Sequence, residues 1–173
     1  DKSKYWLGLV DATDDCELDY WRTGTGFVRV KILDSDTPIT SGLVAGQINT
    51  IDMIYWEGPA IKVLSDKVKI IAKYSDFIAS GSLNEYPKWD LLDNFLAIKS
   101  IKEWYNILTR DRFEKYLDDK VAILESSVNN NKVVLISPHA EFGNIGISPR
   151  KKSQAFQLIT NVFFYLSLNK KII

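Results

Sequence analysis

The 173-residue sequence is poor in the side chains that most often build reactive and metal centres. It has one cysteine, Cys16, so no disulfide can form within the chain, and a zinc site built on several thiolates is excluded. It has one histidine, His139, so a mechanism that needs two imidazoles is excluded within a single chain. No carboxylate spacing suggests a metal site and no glycine-rich phosphate-binding motif is present, so we expect no metal and no cofactor.

The sequence also lacks a net charge and long apolar runs. Lys and Arg total 22, as do Asp and Glu, so bulk charge gives no attraction to nucleic acid and we expect no such partner. No apolar run approaches the roughly 20 residues of a membrane span, so we expect no membrane partner. No signal peptide is visible and the lone thiol fits a reducing compartment, so we expect a cytoplasmic protein unless a leader once preceded Asp1.

What the sequence does contain is the composition of an ordinary globular domain, 46% hydrophobic and 25% charged, and we treat residues 1–173 as one domain. Apolar and polar alternation predicts a strand at 26–33, and short runs rich in apolar residues predict further strands at 51–56, 67–74, 121–126 and 132–137. The last two strands form a predicted hairpin. Polar, glycine- and proline-containing composition predicts loops at 11–25, 34–46 and 75–87.

Three stretches show the three- and four-residue apolar spacing of helices, at 87–108, 111–117 and 153–170. In the last of them the predicted buried face consists of Phe156, Ile159, Val162, Phe163 and Leu166. With about six strands, the pattern predicts an α/β domain with antiparallel or mixed pairing.

The most informative stretch is SPHAEFG at 137–143, which follows the apolar strand segment 133–136. In open α/β sheets ligands bind at the carboxyl ends of strands. His139 and Glu141 are two residues apart, so in an extended backbone both point to one side, where the carboxylate can hold the imidazole in one tautomer. A single His-x-Glu is common by chance, but its place at a strand end favours a catalytic pair.

The segment KVVLISPHAEFG at 132–143 resembles the last active-site motif of class I glutamine amidotransferase-like domains, and in detail that of the biotin–protein ligase N-terminal domain group. Four further segments resemble motifs of this group in the same order: YWRTGTG at 20–26, DTPI at 36–39 with Gly42, YWEGP at 55–59 and KVKIIAKYSD at 67–76. The resemblance spans most of residues 5–166 and leaves a helical insertion at about 79–118 unmatched.

This resemblance implies a flavodoxin-like three-layer sandwich whose mixed sheet includes antiparallel strands, present here as its C-terminal portion without the N-terminal strands. It also implies amide hydrolysis of a small-molecule substrate by a Cys–His–Glu triad, with His139 as the general base and Glu141 orienting it. The residues implied to line the pocket are Tyr55, Glu57, Gly58, Pro59, Ser137 and Phe142.

The nucleophile is the serious departure from the family pattern. The family's cysteine lies in a G-x-C-x-G elbow upstream of these motifs, and this sequence has no such elbow. Cys16 lies in the acidic run DDCE, where neighbouring carboxylates disfavour a thiolate, so we expect the nucleophile to come from ahead of Asp1.

Two other functions stay open: a non-catalytic ligand-binding or regulatory module on the same scaffold, and a sugar- or peptide-binding domain that uses exposed tryptophans. A scaffold without its first strands would expose a sheet edge. We therefore expect a homo-oligomer or association with the missing N-terminal segment.

Overall fold

The computed structural model describes residues 10–15, 24–44, 48–56, 58–81, 108–128, 131–142 and 152–168. The described strands are β1 (Ala12–Asp14), β2 (Thr25–Ile32), β3 (Thr50–Trp56), β4 (Ile61–Val63), β5 (Lys69–Ser80), β6 (Val121–Val128) and β7 (Asn131–Ile136). The described helices are α1 (Arg110–Tyr116) and α2 (Lys152–Leu168), with short 3₁₀ turns at Pro38–Thr40 and Ala140–Phe142. The α/β class predicted from the sequence is therefore confirmed.

The strands form one sheet in the order β1-β4-β6-β5-β2-β3, and β7 also pairs with β6. Since β5 occupies one edge of β6, the short β4 and the longer β7 share its other edge, end to end. Every pairing between the described strands is antiparallel. The parallel strands of a flavodoxin-like sandwich are not among these pairs, so that finer fold stays a prediction.

The sheet is strongly curved, so that the segment after β7 reaches β3, four strands away. In a flat sheet the four strand spacings from β7 to β3 would separate them by about 19 Å. Yet His139, three residues after the end of β7, forms an antiparallel bridge with Ile54 of β3. Three residues reach at most about 11 Å, so only a strongly curved sheet allows this contact. The curvature brings the segment after β7 beside the end of β3.

The main core fills one face of this sheet. The alternation predicted for β2 is confirmed, because Val28, Val30 and Ile32 are buried while Lys31 is exposed. The helix α1 packs Phe113 edge-on against Tyr74 of β5, and α2 covers the core through a row of small and branched residues, Ala155, Leu158 and Val162.

Two sequence predictions of loops are wrong in part. The chain is still a strand over residues 75–80, because the ladder between β2 and β5 continues through two register shifts until Ser80 lies opposite Gly26. The strand β1 lies inside the predicted loop 11–25. A three-residue strand is too short to show a period, so the sequence gives no sign of it.

The helical insertion predicted at about 79–118 is described only at its two ends. The first end is still β5, and the second contains α1, which confirms the short helix predicted at 111–117. Leu108 is fully buried, and its amide N–H donates to the Thr25 carbonyl with an N···O distance of 3.0 Å. Apart from Leu108, the helix predicted at 87–108 lies outside the described residues.

The C-terminal helix is confirmed, but its predicted buried face is partly wrong. Phe156 and Phe163 point to solvent, with 50% and 67% of their surface exposed, while Ala155 and Leu158 are fully buried. The helix has no charged residue from 154 to 168, so apolar spacing alone did not identify the inward side. None of the helices in the described part of the chain has the length and apolarity needed to cross a bilayer.

Candidate functional site

The two residues predicted as catalytic do lie together. His139 follows β7 by three residues, and its Nδ1 atom lies 2.6 Å from Oε1 of Glu141. The backbone is not extended as the sequence argument supposed, because Ala140–Phe142 forms a 3₁₀ turn, and this turn brings the carboxylate to the ring. The His139 side chain is 29% exposed and that of Glu141 is 53% exposed, so the pair lies at the surface, open to solvent.

His139 is also bonded twice to the edge of β3. Its amide N–H donates to the Ile54 carbonyl at 2.8 Å, and its ring Nε2 lies 3.1 Å from the Trp56 carbonyl. Carbonyls two residues apart along a strand point the same way, so one residue can meet both. The contact with a strand edge fixes the ring beside the Trp56 indole, with the two ring centres 6.2 Å apart.

Both ring nitrogens of His139 therefore face oxygen acceptors, a carboxylate and a carbonyl. A neutral imidazole carries one N–H and can donate to only one of them. A ring protonated at both nitrogens donates to both. To accept a proton from a nucleophile, Nε2 must first separate from the Trp56 carbonyl, and this is the main chemical constraint that the geometry sets.

A buried hydrogen-bonded group lies beneath the pair. The Ser137 hydroxyl donates to the Pro59 carbonyl and lies 2.7 Å from the hydroxyl of Tyr74. Because a carbonyl only accepts, Ser137 uses its one proton there, and Tyr74 must donate to Ser137. Burial raises the pKa of the Tyr74 hydroxyl well above its ordinary value, so Tyr74 stays a neutral donor. These bonds tie β5, the turn after β3 and the segment after β7 together.

The turn after β3 approaches the same segment so closely that only glycine fits. A Cβ atom placed on Gly58 would lie 2.2 Å from the main-chain oxygen of Ser137, well inside contact distance. The Gly58 carbonyl accepts a hydrogen bond of 2.8 Å from the Tyr55 hydroxyl. The sequence YWEGP thus combines a strand end, a buried tyrosine donor and a glycine without side-chain bulk.

Four of the six residues predicted to line a pocket are brought together here: Tyr55, Gly58, Pro59 and Ser137. Tyr55, Gly58 and Ser137 are buried, so they support the His139 segment from the interior of the domain. Glu57 and Cys16 lie outside the described residues, and of Phe142 only the backbone is described. Their roles stay predictions.

Sequence reasoning missed Tyr74, which bonds to the candidate site from a strand far away in sequence. Its apolar neighbours in KIIAKY predict only a buried strand position. The Trp56 carbonyl was missed as well, because a main-chain acceptor has no signature in the sequence. Within the described ranges no three His, Cys, Asp or Glu side chains gather as metal ligands would.

Comparisons of the chain with protein-family models, with curated proteins and with solved structures found no match.

Proposed function

We propose that this chain carries the histidine and the carboxylate of a class I amidotransferase-like site that hydrolyses the amide of a small molecule such as glutamine. The nucleophile would be a cysteine outside residues 1–173, since Cys16, the one cysteine of this sequence, lies in the acidic run DDCE. The proposal includes a flavodoxin-like sandwich, with its parallel strands also outside the described residues, in a cytoplasmic protein. The observation that carries it is the 2.6 Å contact between His139 Nδ1 and Glu141 Oε1 at the end of β7.

The proposed reaction follows the usual two stages of covalent amide hydrolysis. The thiol proton passes to His139 Nε2, the sulfur attacks the amide carbon, and the imidazolium returns the proton to the amide nitrogen, so that ammonia leaves. Water then hydrolyses the thioester to a carboxylate and the free thiol. Throughout, Glu141 accepts from the Nδ1 proton and stabilises the imidazolium that forms.

The test is ammonia release from glutamine by the protein at its native length, with His139→Ala and Glu141→Gln beside it. His139→Ala should abolish turnover, and Glu141→Gln, which keeps an acceptor but loses its charge, should reduce it by about a hundredfold or more. Leu33→Ala, at an exposed position directly after β2, is the control and should leave turnover unchanged. Turnover that survives His139→Ala in a folded protein would refute the proposal.

A non-catalytic binding module is the second candidate, and the bond between His139 Nε2 and the Trp56 carbonyl favours it. With both ring nitrogens already bonded, His139 acts as a structural clamp between β3 and the segment after β7. This function predicts no ammonia release from the wild-type protein. It also predicts a rise in Tm on adding glutamine or a related small amide, since a ligand that binds only the folded state stabilises it.

A further inference from the structure

The solvent side of α2 is an apolar surface. Four large side chains project from it, with exposed fractions of 50% for Phe156, 67% for Phe163, 66% for Phe164 and 82% for Leu168. Thr160 and Ser167 lie on the same side at helical spacing and are also exposed. We call these six residues the Phe face. Isolated exposed hydrophobic residues are common on proteins, but three phenylalanines on one side of one helix form a contiguous patch.

The opposite side of α2 is fixed to the domain, so the Phe face cannot turn inward. Tyr165 donates to the nearly buried carboxylate of Glu125 at 2.7 Å. The Asn161 side-chain amide donates to the carbonyls of Ile39 and Ser41 at 3.1 and 2.9 Å. With the buried row of the helix packed on the core, these bonds hold the three phenylalanines toward solvent.

The charge distribution of the sequence indicates what would lie against this face. All 22 acidic residues lie within residues 1–141, and residues 142–173 contain none. Five of the 22 basic residues lie in this last stretch, at 150, 151, 152, 170 and 171, on both sides of the uncharged stretch 154–168. The C-terminal part of the chain is thus strongly cationic in a protein of zero net charge, which favours an anionic partner.

We propose that the Phe face of α2 binds the surface of an anionic phospholipid bilayer, with the helix lying in the plane of the interface. Aromatic rings insert at the boundary between headgroups and acyl chains, and basic residues at the two ends attract the acidic headgroups. No spanning segment is required. The sequence expectation of no membrane partner was based on the lack of a spanning run, and the proposal departs from it for this reason.

A second copy of the chain fits the same face less well. The exposed parts of the three phenylalanines and Leu168 amount to about 500 Å², whereas a standard protein interface buries about 800 Å² on each partner. Pairing two copies through α2 would also bring two cationic segments together, and like charges repel.

The experiment is co-sedimentation of the protein with vesicles of phosphatidylcholine alone and of phosphatidylcholine mixed with phosphatidylserine, at low and at high salt. The wild-type protein should sediment with the mixed vesicles and much less with the neutral ones, and high salt should weaken the binding. The double variant Phe163→Gln with Phe164→Gln should lose about tenfold or more in partitioning. Because glutamine has good helix propensity, the circular dichroism spectrum and the Tm of the double variant should match those of the wild type.

Ile48→Gln is the matched control, since Ile48 is 61% exposed and does not belong to the Phe face. It should bind vesicles as the wild type does. The proposal is overturned if the wild-type protein does not sediment with anionic vesicles, or if the double variant sediments equally well. It is also overturned if the wild type forms a dimer without lipid that the double variant abolishes, because the face would then bind a second copy.

Discussion

The hydroxyl of Tyr74 on β5 donates a hydrogen bond of 2.7 Å to the hydroxyl of Ser137, two residues before the candidate catalytic histidine. Ser137 in turn donates a hydrogen bond to the Pro59 carbonyl, so donors and acceptors run in one direction through the buried group. Because the bonds run in one direction, removing the Ser137 hydroxyl and removing the Tyr74 hydroxyl break different numbers of hydrogen bonds.

Ser137→Ala is expected to destabilise the fold more than Tyr74→Phe. The alanine leaves both the Tyr74 hydroxyl and the Pro59 carbonyl without this partner, and should cost about 2–3 kcal/mol. The phenylalanine leaves Ser137 still bonded to Pro59 and should cost about 1 kcal/mol. Urea unfolding of both variants measures the two losses of free energy. A larger loss for Tyr74→Phe than for Ser137→Ala would show that Tyr74 is not the donor in the hydrogen bond to Ser137.

The stability of the protein should fall at alkaline pH through Tyr74. Burial raises the pKa of Tyr74 in the folded state above its ordinary value of 10.0, so the hydroxyl stays neutral there while the unfolded chain ionises. The contribution of neutral Tyr74 to the free energy of unfolding is therefore fully present below about pH 10 and is lost as the pH rises further. Unfolding free energies measured at several pH values should fall less steeply in Tyr74→Phe than in the wild type, and equal slopes would contradict this account.

Gly58→Ala should displace the segment that carries His139. The added Cβ meets the main-chain oxygen of Ser137 at 2.2 Å, so the turn must move, at a cost of about 2–3 kcal/mol. Removing the Ser137 side chain cannot relieve a clash with its main chain. The double variant Gly58→Ala with Ser137→Gly should therefore show no rescue in thermal unfolding, whereas recovery of Tm would place the clash on the side chain.

The pair Arg29 and Asp52 should matter more to stability than other ion pairs of the sheet. Arg29 binds both carboxylate oxygens of Asp52, at 2.6 and 3.0 Å, and Asp52 is only 3% exposed. The hydrogen bond to Asp52 raises the pKa of Arg29. Because Arg29 is itself 32% exposed, Asp52→Ala should cost about 2 kcal/mol, less than for a fully buried pair.

The matched control for this pair is Asp119→Asn, which breaks an ion pair whose carboxylate is 83% exposed. Asn tolerates the positive φ of 56° at this position, so the backbone is not strained by the change. The variant should shift the free energy of unfolding by no more than about 0.5 kcal/mol. Equal losses for Asp52→Ala and Asp119→Asn would show that burial does not distinguish the two pairs.

The sequence predicts the parts of the fold where one local period dominates. The alternation in β2 is confirmed, because its buried and exposed residues follow a two-residue repeat. The hairpin of β6 and β7 is confirmed as two apolar runs that flank an asparagine-rich turn, although residues 121–126 of β6 are all buried and show no alternation. The sequence does not predict the last residues of β5, whose polar composition is that of a loop and whose strand conformation depends on pairing with β2. Nor does it predict which side of α2 is buried, because that helix is apolar on both sides.

At the candidate site, the sequence places His139 and Glu141 together correctly although the backbone between them turns. A spacing of two residues lets a strand or a short turn make the contact. The bond to Trp56 depends on the curvature of the sheet, which brings β3 to the end of β7, and the bond to Tyr74 depends on the pairing of β5 with β6. Long-range contacts of this kind have no local pattern, so the sequence alone did not predict them.

The decisive experiment on the pairing of His139 with Glu141 is the ¹⁵N NMR spectrum of the histidine ring, recorded for the wild type and for Glu141→Ala. Since His139 is the only histidine in the sequence, its ring signals need no assignment. The account predicts a proton on Nδ1 that is held in a hydrogen bond and exchanges slowly with water, and that exchanges rapidly once Glu141 is removed. An unchanged, rapidly exchanging ring in both proteins would contradict the pairing of His139 with Glu141.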